Sequence, residues 1–220
     1  MNPFETFLQS QTDVKVIDAK TFVSVDLSVS NTSLSDIATD AEKFEDYLEN
    51  YLAGNNADAA FGGYNEQRNL YKRSGIFNDE ESDERDIHIG LDLWIAAETI
   101  VFAALDGKVH SFDYNTGIGN YGPTIILEHQ IANEKFYTLY GHLSLESIEE
   151  IEIGDAFKKG QKLATLGDAS VNGDYAPHLH FQIIRDIEEY FGDYPGVCSK
   201  KDLDFYLQNC PDPNVLLKLK

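Results

Sequence analysis

The sequence is short of cysteine, of basic residues and of long apolar runs, and each shortage narrows what the chain can be. Cys198 and Cys210 are its only cysteines, too few for the disulfide framework of a small secreted domain. They read as free thiols of a reducing cytoplasm. No window approaches the ~18 apolar residues of a membrane-spanning helix, and MNPFETFLQSQTDVK has no basic stretch followed by an apolar one. The expectation is a cytoplasmic protein with no integral membrane segment, export by another route being left open. Lys and Arg number 17 against 38 acidic residues, giving a formal charge of −21. Such a chain repels phosphate backbones and anionic lipid, so nucleic acid is excluded as a partner.

What is present is ample material for a core. Apolar residues make up 42% of the 220, with 12 Tyr and 13 Phe, which excludes a disordered chain. Residues 36–53 place Ala41, Phe44, Leu48, Tyr51 and Leu52 at the spacing of an amphipathic helix, with Gly54 as its stop. The acidic run at 79–86, DEESDERD, reads as a solvated loop. From 87 to about 185 short β-rich runs alternate with glycine: TIVFAAL, GKVHSFDY, GPTIILEH, KFYTLYGHL, KLATLG and HLHFQII. That texture predicts an antiparallel β domain. The tail, with DYPGVC and CPDPN, reads as loop, a short helix and a proline-stiffened end.

Histidine carries the chemical signal. Four of the six lie in three compact clusters, HIGLD at 88–92, YGHL at 140–143 and HLH at 178–180. His178 and His180 share a face if HLH is a strand, because side chains alternate with period two. His88 and Asp92 share a face by their even spacing. A catalytic zinc takes three protein ligands and keeps a position for water, and two imidazoles with one carboxylate are a hydrolytic set. His88, Asp92 and either His178 or His180 meet that demand, and the remaining histidines would move protons. His110 and His129 stand alone in apolar strands and read as structural. Tyr140, two residues before His142, is a candidate oxyanion donor if the two share a strand face, though packing beside the groove is the commoner role for such a tyrosine.

HIGLDLWIAAETIVFAALDGKV, YGHL, KKGQKLATLGD and PHLHFQ, in that order over residues 85–185, resemble the successive signatures of the lysostaphin-type zinc metalloendopeptidases, a family that includes peptidoglycan endopeptidases. The resemblance implies a mainly β fold: an antiparallel β-sheet peptidase core with a groove, a helical N-terminal extension and an irregular C-terminal tail. The corresponding boundaries are 1–75, 76–185 and 186–220. It further implies that His88, Asp92 and His180 hold Zn2+, and that His142 and His178 carry proton transfer and stabilise the tetrahedral intermediate. The spacing of HLH cannot choose His180 over His178, and that choice comes from the family.

The implied function is zinc-dependent hydrolysis of peptide bonds, with a peptide or murein fragment as substrate. The alternative is a non-catalytic metal-binding or regulatory module on the same fold. Three positions depart from the family pattern: Glu98 and Ile100 where a turn often has Gly and Pro, and Gln182 where an acidic residue is common. None is expected to touch a ligand. YNEQRNLY, GPTIILEH, FYTLYGHLS, DYPGVC and CPDPN are also similar to a peptidase-like middle domain of large cytoplasmic fusions, which implies an intracellular peptide or amide as substrate.

Overall fold

The computed structural model describes residues 3–34, 37–69, 71, 84–132 and 134–220. In chain order the elements are α1 (Pro3–Ser10), β1 (Phe22–Ser24), α2 (Ala41–Asn55), β2 (Ala59–Gly62), β3 (Glu66–Gln67), β4 (Arg85–His88), β5 (Leu91–Trp94) and β6 (Ile100–Phe102). Then follow β7 (Gly107–Asn115), β8 (Gly122–Ile131), β9 (Glu134–Gly141), β10 (Ala156–Phe157), β11 (Lys162–Thr165), β12 (His178–Ile184), β13 (Val197–Ser199), α3 (Leu203–Asn209) and α4 (Asn214–Leu217). The protein is mainly β, as its sequence predicts. An eight-stranded sheet runs β1-β2-β5-β12-β9-β8-β7-β10, beside a β13-β4-β3 sheet and a β11-β6 pair. Its neighbours pair antiparallel except β1 and β2, which are parallel.

Alternation along the central strands divides their residues between two cores. Leu179, Phe181 and Ile183 of β12 join Leu91, Leu93, Ile125, Leu127 and Tyr140 in the larger cluster. The even-numbered His178, His180 and Gln182 must then face the opposite way, toward the β13-β4-β3 sheet. That side holds the smaller cluster, which includes Ile87, Ile89, Leu139, Ile184 and Tyr194. Burying a ring such as Phe181, which is fully enclosed, contributes about 1.5–3 kcal/mol. The strand bearing two of the histidines is thus fixed in register by its apolar face. The chain ends are tied together as well: α1 packs on α4, and Lys218 Nζ donates to the carbonyls of Gln9 and Gln11.

The amphipathic helix begins later and ends later than its spacing implies. Asp40 has extended backbone angles, and its side chain accepts from the Lys43 N–H, so it caps a helix starting at Ala41. Gly54 lies inside the helix, and Asn56 is the left-handed residue that ends it, at φ 51°. Residues 59–62, expected within a helical extension, form β2 and pair with β5 of the main sheet. Of the acidic run, 79–83 lie outside the described residues. Arg85 and Asp86 are not loop but the start of β4, where Asp86 is buried and accepts from Gln67 Nε2 at 2.7 Å. The DYPGVC stretch also gains regular structure, because Val197 and Cys198 pair with His88 and Ile87. Cys198 and Cys210 are buried free thiols, and burial pushes each up to about 12.

His129 is structural, as its isolation in an apolar strand suggests. Its Nδ1–H donates to the Asp106 carbonyl at 2.8 Å and its Nε2 meets Thr138 Oγ1 at 2.7 Å. Burial lowers its pKa to about 4. The folded value lies below the unfolded one, so this group contributes full stability above about pH 6.5 and loses it as pH falls toward 4. Between pH 7 and 5 the loss amounts to about 2 kcal/mol. Urea unfolding in chelator at both pH values should show His129→Gln losing less stability on acidification than wild type by that amount.

Candidate metal centre

The chain passes from the smaller sheet to the larger one at Ile89 and Gly90, so His88 ends β4 and Asp92 lies in β5. They meet because two strands of different sheets converge, and not because five residues share one strand or helix face. Asp92 is directly opposite His180 on β12, and Trp94 is opposite His178. The turn tolerates no side chain at Gly90, where a Cβ would lie 2.3 Å from the His180 ring.

Three donor atoms converge. His88 Nε2 and His180 Nδ1 are 2.9 Å apart, and Asp92 Oδ1 lies 3.3 Å from the first and 3.1 Å from the second. The far side of each ring fixes its proton. His88 Nδ1 is 2.8 Å from the Gly63 carbonyl, which can only accept. His180 Nε2 is 2.9 Å from Gln182 Oε1, and the Gln182 amide is oriented by its donation to the Pro195 carbonyl and Cys210 Sγ. In the neutral rings both inward nitrogens therefore carry lone pairs, facing each other and a carboxylate oxygen. A cation satisfies all three.

All three residues are buried. Burial lowers the His88 pKa to about 4, against the pull of Asp92. Burial alone would raise the Asp92 carboxyl, but the Arg68 guanidinium beside it holds it well below the usual carboxylate range. His88 and Asp92 are thus ready to bind a divalent ion without first shedding a proton at neutral pH.

Beside it lie His142 and His178, their ring centres 4.2 Å apart. His142 follows the end of β9 at φ 63°. Its Nδ1 donates to the Asn172 carbonyl at 2.8 Å, while His178 Nδ1 donates to the Ala176 carbonyl at 2.8 Å. Each ring consequently has Nε2 as its acceptor, and His178 Nε2 is 3.9 Å from Asp92 Oδ1. Burial depresses both pKa values, more strongly at His142, where His178 and His180 add like charge. A cavity of about 190 Å³ opens onto these groups, with Trp94, Tyr121 and Tyr175 among its walls.

Residues 86–191 match the family model for Peptidase family M23. This stretch is an M23 peptidase domain. Two curated relatives align to part of the chain. A Haemophilus influenzae protein named uncharacterized metalloprotease is 30% identical over 95 residues, which are 43% of this chain and 18% of its own. The peptidoglycan DD-endopeptidase ShyC of Vibrio cholerae is 33% identical over 98 residues, 44% of this chain and 20% of its own. The chain therefore spans about a fifth of the length of the curated relatives it matches. Among solved structures, the catalytic domain of the antimicrobial peptidase lysostaphin from Staphylococcus simulans covers 69% of this chain and 93% of its own at 24% identity, with a TM-score of 0.40.

Two expectations fail around the M23 site. Tyr140 is not a groove residue: its strand ends at Gly141, the left-handed His142 breaks the alternation, and the Tyr140 hydroxyl sits in the larger core, accepting from the Ala104 N–H at 2.9 Å. Gln182 does touch a candidate ligand, since it fixes the ring of His180. Tyr121, not singled out in the sequence, lies between His142 and His180, at 5.6 and 5.0 Å between ring centres. Gly63 and Arg68 reach the site from before the M23 match. Strands as short as AAFG and EQ give no periodicity by which to find them.

Proposed function

We propose that the M23 domain is a zinc-dependent endopeptidase that hydrolyses peptide bonds in small or murein-derived peptides. The observation that carries this reading is the meeting of three lone pairs at His88, Asp92 and His180, beside two neutral imidazoles on the wall of one cavity. Two imidazoles and a carboxylate with space alongside are the donor set of hydrolytic zinc sites. Zinc bound there supplies Lewis acidity, polarising the scissile carbonyl and making water a nucleophile near neutral pH.

The protein side of the reaction falls to His142 and His178. Their Nδ1 protons are committed to backbone carbonyls, so each presents Nε2 to the cavity as a base. The ring that takes the proton from the attacking water becomes a donor, first to the tetrahedral oxygen and then to the departing amine. Tyr121, Tyr175 and Trp94 wall the space in which a peptide would lie. The printed names of the Haemophilus and Vibrio relatives support a peptide substrate and, for the second, one from peptidoglycan.

Elemental analysis of the purified protein should give about one zinc per chain. Incubation of that protein with defined peptides and solubilised murein fragments should release new amino termini, detected by mass spectrometry. A zinc-loaded protein that cleaves nothing in the panel would favour the non-catalytic module. Protein that contains no zinc and takes up none on titration would remove the enzyme reading.

A further inference from the structure

The segment before the M23 domain sends one side chain into the metal centre. Arg68 is 2% exposed, and its Nη1 lies 2.6 Å from Asp92 Oδ2. Glu66 Oε2 accepts from Arg68 Nε at 2.5 Å, and Nη1 also reaches the Tyr71 hydroxyl at 3.3 Å. The guanidinium lies over the Trp94 ring, 5.7 Å from its centre. Its remaining nitrogen, Nη2, is buried and has no hydrogen-bond partner among the described residues.

A buried ion pair of this kind is a poor way merely to fill space. Removing both charges from water costs more than their attraction returns unless other bonds compensate, and an apolar pair of similar volume is often as stable. Here the compensation is incomplete, since Nη2 is unsatisfied. What the pair does achieve is a division of the Asp92 carboxylate. Oδ2 is taken by a charge-assisted bond, and Oδ1 alone faces His88 Nε2 and His180 Nδ1. Without Arg68 the carboxylate is free to rotate, exchange its oxygens or offer both.

We propose that Arg68 is a positioning residue for the metal ligand Asp92: by holding Oδ2 it restricts the carboxylate to one coordinating oxygen. The inference rests on the metal reading above. Gly63 serves the same arrangement from the adjoining turn. It has φ 98°, gives its carbonyl to His88 Nδ1, and leaves room for Arg68, because a Cβ there would lie 1.7 Å from Nη2. Residues 63–68 thus orient two of the three ligands from outside the M23 match, and the metal centre of this chain is incomplete without them.

The test compares wild type, Arg68→Met and Arg68→Lys, each with its fold checked by circular dichroism. Co2+ affinity is measured in competition with a chromogenic chelator, and the visible spectrum of the bound Co2+ reports its coordination. Loss of an outer partner of a ligand typically weakens metal binding about 10–100-fold, and that is the result expected for Arg68→Met. Its cobalt absorption should also weaken, as a freed Asp92 binds through both oxygens and raises the coordination number. Arg68→Lys, which can still place one N–H on Oδ2, should keep the wild-type spectrum and lose less than about tenfold in affinity. A folded Arg68→Met with wild-type affinity and spectrum would overturn the proposal while leaving the metal site standing. If Arg68→Met does not fold, Arg68→Ala, whose smaller side chain leaves room for water, is measured in its place, and affinity and spectrum equal to wild type there overturn it. Wild type that binds no cobalt or zinc removes the metal reading itself.

Discussion

Replacing Asp92 by alanine is expected to abolish metal uptake and peptide hydrolysis together, and to destabilise the metal-free protein by about 3 kcal/mol. The first effect follows from removing the one anionic donor from a set of three. The second is independent of any ion. It arises because Arg68 is buried against Asp92 and, among the described residues, keeps Glu66, the Tyr71 hydroxyl and the Trp94 ring but loses its closest buried carboxylate. An uncompensated buried charge is costly, whereas deleting both partners is tolerated much better. Urea unfolding in chelator should therefore show the Asp92→Ala/Arg68→Met double variant recovering most of the stability lost in Asp92→Ala. His180→Ala, by contrast, should lose the metal without stranding a charge, and the comparison separates ligation from ion pairing. Metal retained in both single variants would show that the ion, if any, binds elsewhere.

Alanine at His142 or at His178 is expected to leave about one metal per chain and to lower kcat about 10²–10⁴-fold. Neither ring is required to complete the ligand set, and both hold their protons away from the cavity on backbone carbonyls. Removing one leaves water activation with a single base and the tetrahedral oxygen with one fewer donor. Elemental analysis and turnover must be measured on the same preparations. A variant that loses its metal along with its activity would make that histidine a ligand, and His178 is the more instructive case. Its Nε2 is already 3.9 Å from Asp92 Oδ1, and the spacing of His178 and His180 does not distinguish them.

The chemistry was legible because histidine is scarce in this chain and clustered where it occurs. HIGLD, YGHL and HLH name the five groups that the fold assembles, and the alternation of HLHFQII places its histidines on one face. The central strands were legible for the same reason, since β7, β8, β9 and β12 are long enough for pattern to speak. What could not be read depends on approach in space. Arg68 sits in a segment with no periodicity, and its meeting with Asp92 is decided by the pairing of β2 with β5 and of β3 with β4. Gln182 shares a face with His180 by simple alternation, yet its contact depends on Pro195 and Cys210 fixing the amide from another part of the chain. Tyr140 shows the opposite failure. Alternation was extended one residue past the end of its strand, and the left-handed turn at His142 reversed the face.

The candidate ligands are divided between the two sheets, with His88 on the smaller and Asp92 and His180 on the larger. An ion bridging them would act as a clasp between layers as well as a reagent. At that point His88, Arg68, Asp92 and His180 are all buried between the layers, beside the smaller apolar cluster. Chelation would then do two things at once, removing the reactive centre and opening the seam along which the layers meet. Where metal is short, such a protein would be both inactive and easier for a protease to open, so that its survival would follow its fitness to react.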